Sequence, residues 1–246
     1  MNFTQALNLN LRQRNILSFV GAGGKTTLMF QFARECRDWE QCILVTTTTN
    51  IFCPASDQCD FQFLDDGLFP HQAKLKGITV VGSRTTHMRK KLKGVGFDQL
   101  AKIKTRFDTI LIESDGAAQK PIKAPADHEP VIWPETTHVI GVIGYQSFGK
   151  PIDRFHVHRF ERFASLTNGQ VGDLVDAPKV FRLVDSSQGL FQKAPKTSVK
   201  IWIVNQVDDS KMRKKAKATV EYVLKHSKRP DRVVLCGKAT PLEVLW

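Results

Sequence analysis

The residues that could do chemistry gather in a few short stretches. The first is Gly21-Ala22-Gly23-Gly24-Lys25-Thr26-Thr27. Residues 15–20 before it read as a short apolar strand. Leu28, Met29, Phe32, Ala33 and Cys36 after it recur at helical spacing, so a helix starts near Lys25. Strand, glycine turn, Gly-Lys-Thr and helix together make a phosphate-binding loop. Glycines let the backbone pass close around a polyphosphate, and the N–H groups at the helix start point at it. Lys25 would reach the β- and γ-phosphates, and the Thr26 hydroxyl would sit on Mg²⁺. The loop is a short form: Phe19 stands where the full eight-residue pattern has its first glycine.

The second stretch, Glu113-Ser114-Asp115-Gly116, ends the apolar run 109–112. An acid at the end of a buried strand, beside a phosphate loop, is placed to hold Mg²⁺ or water. Either Glu113 or Asp115 can be the metal ligand, with the other orienting or deprotonating the nucleophile. The threonines 46–49 leave the end of another apolar run, and Thr48 is the candidate for placing the attacking group. Residues 119–130 hold Pro121, Pro125 and Pro130 and cannot form a long helix. They carry Lys123, His128 and Glu129, which suit an active-site wall. His156 and His158 share one face of an extended segment, as a metal pair would, but two histidines alone specify no metal site.

Positioning these stretches requires several strand ends side by side. Residues 43–46, 78–82, 109–112, 138–143, 199–204 and 233–236 are short, nearly continuous apolar runs like 15–20, and helical or looped stretches separate them. That pattern predicts an α/β fold, a mostly parallel twisted sheet flanked by helices, with ligands at the carboxyl ends of the strands. The expectation is a single domain over 1–246 with a small helical insertion at about 150–196, where Val180, Leu183 and Val184 face inward. A short helix at about 3–9 precedes the first strand.

Lys and Arg number 36 against 24 acids, a formal charge of +12 that favours anionic partners. Eight basic residues lie within 211–229, facing only Glu221. Met212, Ala216, Val220, Val223 and Leu224 mark one apolar helical face there, so the lysines read as its solvated side. No aromatics alternate with them, which argues against a nucleic-acid partner. The five cysteines form no Cys-x-x-Cys pair and read as the reduced thiols of a cytoplasmic protein. Residues 1–15 lack the pattern of a signal peptide, and no run has the length of a membrane span.

The short glycine loop resembles the nucleotide loops of Mur-type ligases and of other P-loop proteins. Asn205-Gln206-Val207-Asp208 resembles the Asn-Lys-x-Asp base-reading motif of GTPases, in the chain order they use. Asp208 would then accept hydrogen bonds from guanine N1–H and N2–H, and Asn205 would brace the loop. Gln206 replaces the motif's lysine, and a strand end followed by a helix cap would look identical, so GTP and ATP both stay open. Gly21 to Thr26, the threonine run, Glu113-Ser114-Asp115-Gly116-Ala117, the stretch from Lys123 to Pro130 and Val157-His158-Arg159-Phe160-Glu161 together resemble the YqeC family over about residues 16–208. The family is associated with the maturation of selenium-dependent molybdenum hydroxylases. The resemblance therefore implies a P-loop NTPase fold, with a molybdenum hydroxylase or its cofactor as partner, but it supplies no reaction. It adds His158 and Arg159 to Lys123, His128 and Glu129 as candidate contacts for substrate or partner. The leading expectation is a Mg²⁺-dependent protein that binds and hydrolyses GTP or ATP. An ATP-dependent small-molecule kinase or ligase, and a nucleotide-gated cofactor carrier without turnover, are the alternatives.

Overall fold

Side chains of a strand alternate between the two faces of its sheet, so a run that is apolar at every position needs cover on both. The computed structural model describes all residues except 65–68, 70–73, 85–90, 228 and 239. Its strands are β1 Asn15–Gly21, β2 Cys42–Thr47, β3 Asn50–Phe52, β4 Phe61–Phe63, β5 Gly77–Val81, β6 Ser83–Arg84 and β7 Lys91–Lys93, then β8 Thr109–Glu113, β9 Ile122–Lys123, β10 His138–Gly144, β11 Val157–His158, β12 Val199–Asn205, β13 Arg232–Leu235 and β14 Glu243–Val244. The helices are α1 Phe3–Ala6, α2 Lys25–Asp38, α3 Phe97–Ile103, α4 Phe160–Leu166, α5 Ala177–Asp185 and α6 Ser210–His226. Nine strands form one sheet in the order β14-β13-β12-β10-β1-β8-β2-β5-β4. All its neighbours are parallel except β13 and β14. The fold is α/β with a mostly parallel sheet flanked by helices, consistent with a P-loop NTPase. All seven apolar runs are strands of this sheet.

Handedness decides which face each connection covers. The chain leaves β1 toward β2 through α2, and every later crossover to β8, β10, β12 and β13 runs the other way along the sheet. Right-handed connections then put α2 on one face and the later crossovers on the opposite one. The core follows that division. Leu17, Phe19, Leu111, Ile140 and Ile203 pack with α1 and α2. Val20, Val139, Trp202 and Val204 pack with α4, α5 and α6, and Ile16, Leu44 and Ile110 pack with α3.

The terminal elements differ in detail from the sequence expectation. The first helix is a single turn, with Asn2 as its cap, and Asn8 in the left-handed region stops it from continuing to residue 9. Glu35 of α2 anchors it by accepting the Phe3 and Thr4 N–H groups at 2.7 and 2.8 Å. In α6, Ala216, Val220 and Val223 are buried while Lys211, Lys214 and Lys215 are exposed, so the lysines lie on its solvated side. Lys228 of that basic stretch lies outside the described residues. Among the described residues no helix is long and apolar enough to cross a membrane.

Two smaller sheets sit at the carboxyl end. The pair β9–β11 joins Ile122 to Val157 and Lys123 to His158, tying the helical stretch to the loop after β8. The three strands β3-β7-β6 form an antiparallel patch over the end of β2. The sequence reading contained neither.

Candidate functional site

β1 lies between β10 and β8, and the chain builds outward from it in both directions, so its carboxyl end opens a crevice at a switch point. The turn after β1 places Gly21, Gly23 and Gly24 at φ +90°, +91° and +106°, a region where side chains are strained. A Cβ at Gly23 would lie 2.3 Å from Gly144 N, and one at Gly24 2.7 Å from Asn205 Nδ2. The loop is thus pressed against the ends of β10 and β12. Ala22 N–H donates to Val142 O at 2.9 Å, Gly23 N–H to Lys120 O at 3.1 Å, and Asn205 Nδ2 to Gly23 O at 2.8 Å. Gly23→Ala is expected to cost about 2–4 kcal/mol through backbone strain and overpacking. Urea denaturation would measure it, and an unchanged midpoint would mean that the loop has room to shift.

Gly24, Lys25, Thr26 and Thr27 open α2, where backbone N–H groups have no intrahelical acceptor. They line a cavity of about 540 Å³, within the size range of small-ligand sites. Lys25, only 4% exposed, donates from Nζ to Gly21 O at 2.7 Å. The same nitrogen lies 3.1 Å from Asp115 Oδ1 and 3.6 Å from Glu113 Oε1. Burial by itself would lower the Lys25 pKa, but Asp115 and Glu113 outweigh it and hold the ammonium above its ordinary value.

The sequence left two acids equivalent, and the structure separates them. Glu113 pairs in register with Phe19 of β1 and accepts the Thr26 hydroxyl through Oε2 at 2.5 Å. It lines the cavity, and burial pushes its pKa up, partly opposed by Lys25 and Thr26. Asp115 is 1% exposed and accepts Gly21 N–H at 3.0 Å between the ammonium groups of Lys25 and Lys123. Asp115 is an internal counter-ion, and Glu113 is the acid that meets the loop hydroxyl. Among the described residues no three His, Cys, Asp or Glu gather to hold a metal on their own. Thr26 and Glu113 fit Mg²⁺, an ion bound through one or two protein oxygens plus substrate phosphates rather than by an all-protein cage.

The hydroxyls of Thr46, Thr47 and Thr48 serve the backbone. Thr46 donates to Val81 O at 2.8 Å, Thr47 to Glu113 O at 2.7 Å and Thr48 to Val131 O at 2.7 Å. Thr48 is thereby tied to the loop after β8 and is absent from the cavity lining. Lys123, 2% exposed, lies between Asp115 at 3.0 Å and Glu129 at 2.6 Å. Arg159 closes on Glu129 with two hydrogen bonds of 2.7 and 2.9 Å. A chain of alternating charge, Lys25–Asp115–Lys123–Glu129–Arg159, therefore runs from the glycine loop to the start of α4. Burial works against the Glu129 carboxylate, but the hydrogen bonds from Arg159 and Lys123 win and bring its pKa down to about 2.

His158 lines the cavity, and burial with the nearby cations Arg159 and Lys123 lowers its pKa to about 4, so it is neutral at pH 7. His156 is bonded to Asp153 at 2.8 Å instead of pairing with it. His128 has a side chain 78% exposed and turns away. Asn205 is bonded to the glycine loop, while Asp208 accepts Lys238 N–H at 2.7 Å and does not line the cavity. Gln206 does line it, with φ +66° and a buried Oε1 that has no hydrogen-bond partner. Sequence reasoning missed Gln146 and, from the small sheet, Asn50, Ile51, Phe52 and Lys91 in the lining. Strands of three residues leave no periodic signal by which to find them.

The profile of the YqeC family, described as "YqeC protein", matches residues 17–161, more than half of the chain. The chain is also 30% identical over 203 residues to "Uncharacterized protein YqeC" of Escherichia coli (strain K12), an alignment spanning 81% of this chain and 79% of that one. No solved structure matches it. On both likenesses, the chain belongs to the YqeC family.

Proposed function

We propose that the chain binds a Mg²⁺–nucleoside triphosphate on the loop 21–27 and hydrolyses it, as an accessory factor in the maturation of a molybdenum hydroxylase. The observation that carries the nucleotide reading is the contact of the Thr26 hydroxyl with Glu113, beside Lys25 and the open N–H groups of α2. The maturation role rests on the resemblance to the YqeC family. The bound ion would neutralise charge on the phosphates. Lys25 would donate to the β- and γ-phosphate oxygens, and Asp115 would keep it charged and aimed. Thr26 and Glu113 would hold the ion, and the neutral His158 in the same cavity can orient water. The adjoining wall from β3 and β7 favours one second reading, transfer of the phosphoryl group to a small molecule instead of to water.

The test is Mg²⁺-dependent binding and turnover of GTP and ATP by purified protein. Glu113→Gln should lower turnover about 100-fold or more while leaving the fold intact, because burial already disfavours its charge. If Asp208 turns from Lys238 to read a base, Asp208→Ala should abolish any preference for guanine. Equal affinity for both nucleotides, indifferent to Asp208, would reduce that motif to a strand end joined to the Lys238 loop. Absence of any nucleotide binding would overturn the proposal.

A further inference from the structure

We infer that the nucleotide site reads adenine, and that Gln206 is the residue that reads it. The inference rests on the nucleotide reading and adds the base, which that reading leaves open. Thr26, Lys25 and Glu113 mark the place of the terminal phosphates and the ion, at the end of β8. β10 and β12 lie on the other side of β1. A nucleotide laid across the glycine loop with its terminal phosphate at Glu113 therefore carries its base toward the ends of those two strands. Gly144 ends β10 in register with Asn205, the last residue of β12, and Gln206 follows. The bond from Asn205 Nδ2 to Gly23 O fixes the chain there against the glycine loop.

Two features hold Gln206 in an unfavourable state. Its φ of +66° lies in the left-handed region, where glycine would sit without strain. Its Oε1 is buried without a hydrogen-bond partner, although Gln206 lines the cavity. Gly144 makes room for that oxygen, since a Cβ there would overlap it. Strain of this kind points to a use for the side chain, and a ligand that brings a donor to the carbonyl relieves the unpaired group.

The amide decides which base. A primary amide carries an acceptor and a donor side by side, the match for adenine N6–H and its neighbouring ring nitrogen. A swing of the side chain into the cavity satisfies both. Guanine presents N1–H and N2–H together, two donors that suit a carboxylate. Among the described residues Glu113 is the only acid in the lining, and Thr26 and Lys25 engage it at the phosphate end. Asp208 accepts Lys238 N–H outside the lining. Guanine on Gln206 would leave its N2–H without an acceptor, which disfavours it.

Equilibrium titrations with Mg²⁺ and non-hydrolysable analogues of ATP, GTP and ITP, alongside tripolyphosphate, test this. Wild type is expected to bind the adenine analogue about tenfold or more tighter than the guanine and hypoxanthine analogues. Gln206→Ala should remove that advantage while tripolyphosphate affinity stays the same, which a disrupted glycine loop would not allow. Gln206→Glu, with two acceptors and no donor, should turn the preference to guanine. Equal wild-type affinity for adenine and guanine, or an adenine preference that survives Gln206→Ala, would overturn the inference and leave the nucleotide reading standing. So would a loss of adenine affinity in Phe52→Ala with Gln206→Ala silent, because the base would then lie at the β3 end of the cavity. If neither tripolyphosphate nor any nucleotide binds, the nucleotide reading falls and takes this inference with it.

Discussion

Lys25→Ala is expected to weaken Mg²⁺–nucleotide binding about 100-fold or more, the loss of two charge-assisted hydrogen bonds to phosphate. It should also destabilise the ligand-free protein by about 3–5 kcal/mol, the usual cost of removing one partner from a buried ionic cluster. Without the ammonium, Asp115 and Glu113 face each other in the protein interior, and Lys123 remains as the cation beside Asp115. The pH dependence identifies the cause. The Glu113 pKa is already raised in the folded state by burial, and Lys25 is the first influence opposing that rise. Its contribution to stability is present below the ordinary value of 4.5 and lost as pH rises through the folded value. Removing Lys25 moves that folded value further up, so the variant should be most impaired near pH 8 and recover relative to wild type near pH 5. Urea denaturation at the two pH values measures this. Lys25→Met, which keeps most of the volume, should behave like the alanine variant. If methionine restored stability at pH 8, the defect would be a cavity and not a charge.

The sheet was legible in the sequence because its strands are buried on both faces. Runs such as Ile43-Leu44-Val45 and Thr109-Ile110-Leu111-Ile112 cannot be satisfied on a half-exposed surface. The glycine loop was legible for a different reason: backbone approach of the kind seen at Gly23 against Gly144 admits no side chain. The short strands β3, β6 and β7 carry neither signal, so the part of the cavity wall bearing Phe52 was invisible. The division of labour between Glu113 and Asp115 was equally hidden. It depends on Lys123, eight residues further along the chain, folding back to within 3.0 Å of Asp115, and no local pattern encodes that return. Lys123 and Glu129 were singled out as parts of an active-site wall. Their positions make them partners of one another first, and His128, beside them in sequence, faces solvent.

Glu129→Gln should lower stability at pH 7 by about 2–3 kcal/mol, discounted for the partial exposure of the carboxylate. Its folded pKa, brought down to about 2 by Arg159 and Lys123, lies below the ordinary 4.5. The contribution is therefore fully present above pH 4.5 and lost as pH falls toward 2. Wild type should lose this increment over that interval, the glutamine variant has none to lose, and their acid-unfolding curves should converge. Curves that stay parallel down to pH 2 would place the cost in packing and not in the ion pairs. Nucleotide affinity should separate this variant from Lys25→Ala. Glu129 touches Lys123 and Arg159 but not Lys25, and Lys123 keeps Asp115 and the Gly116 carbonyl as partners, so the glycine loop retains its charge balance. A large stability loss with affinity changed only a few-fold is the expected pair of results. Arg159 begins α4 and Lys123 belongs to β9, so Glu129 joins the helical stretch to the loop that walls the cavity. A loss of affinity as severe as that of Lys25→Ala would mean that the charge chain holds the loop's conformation over its full length.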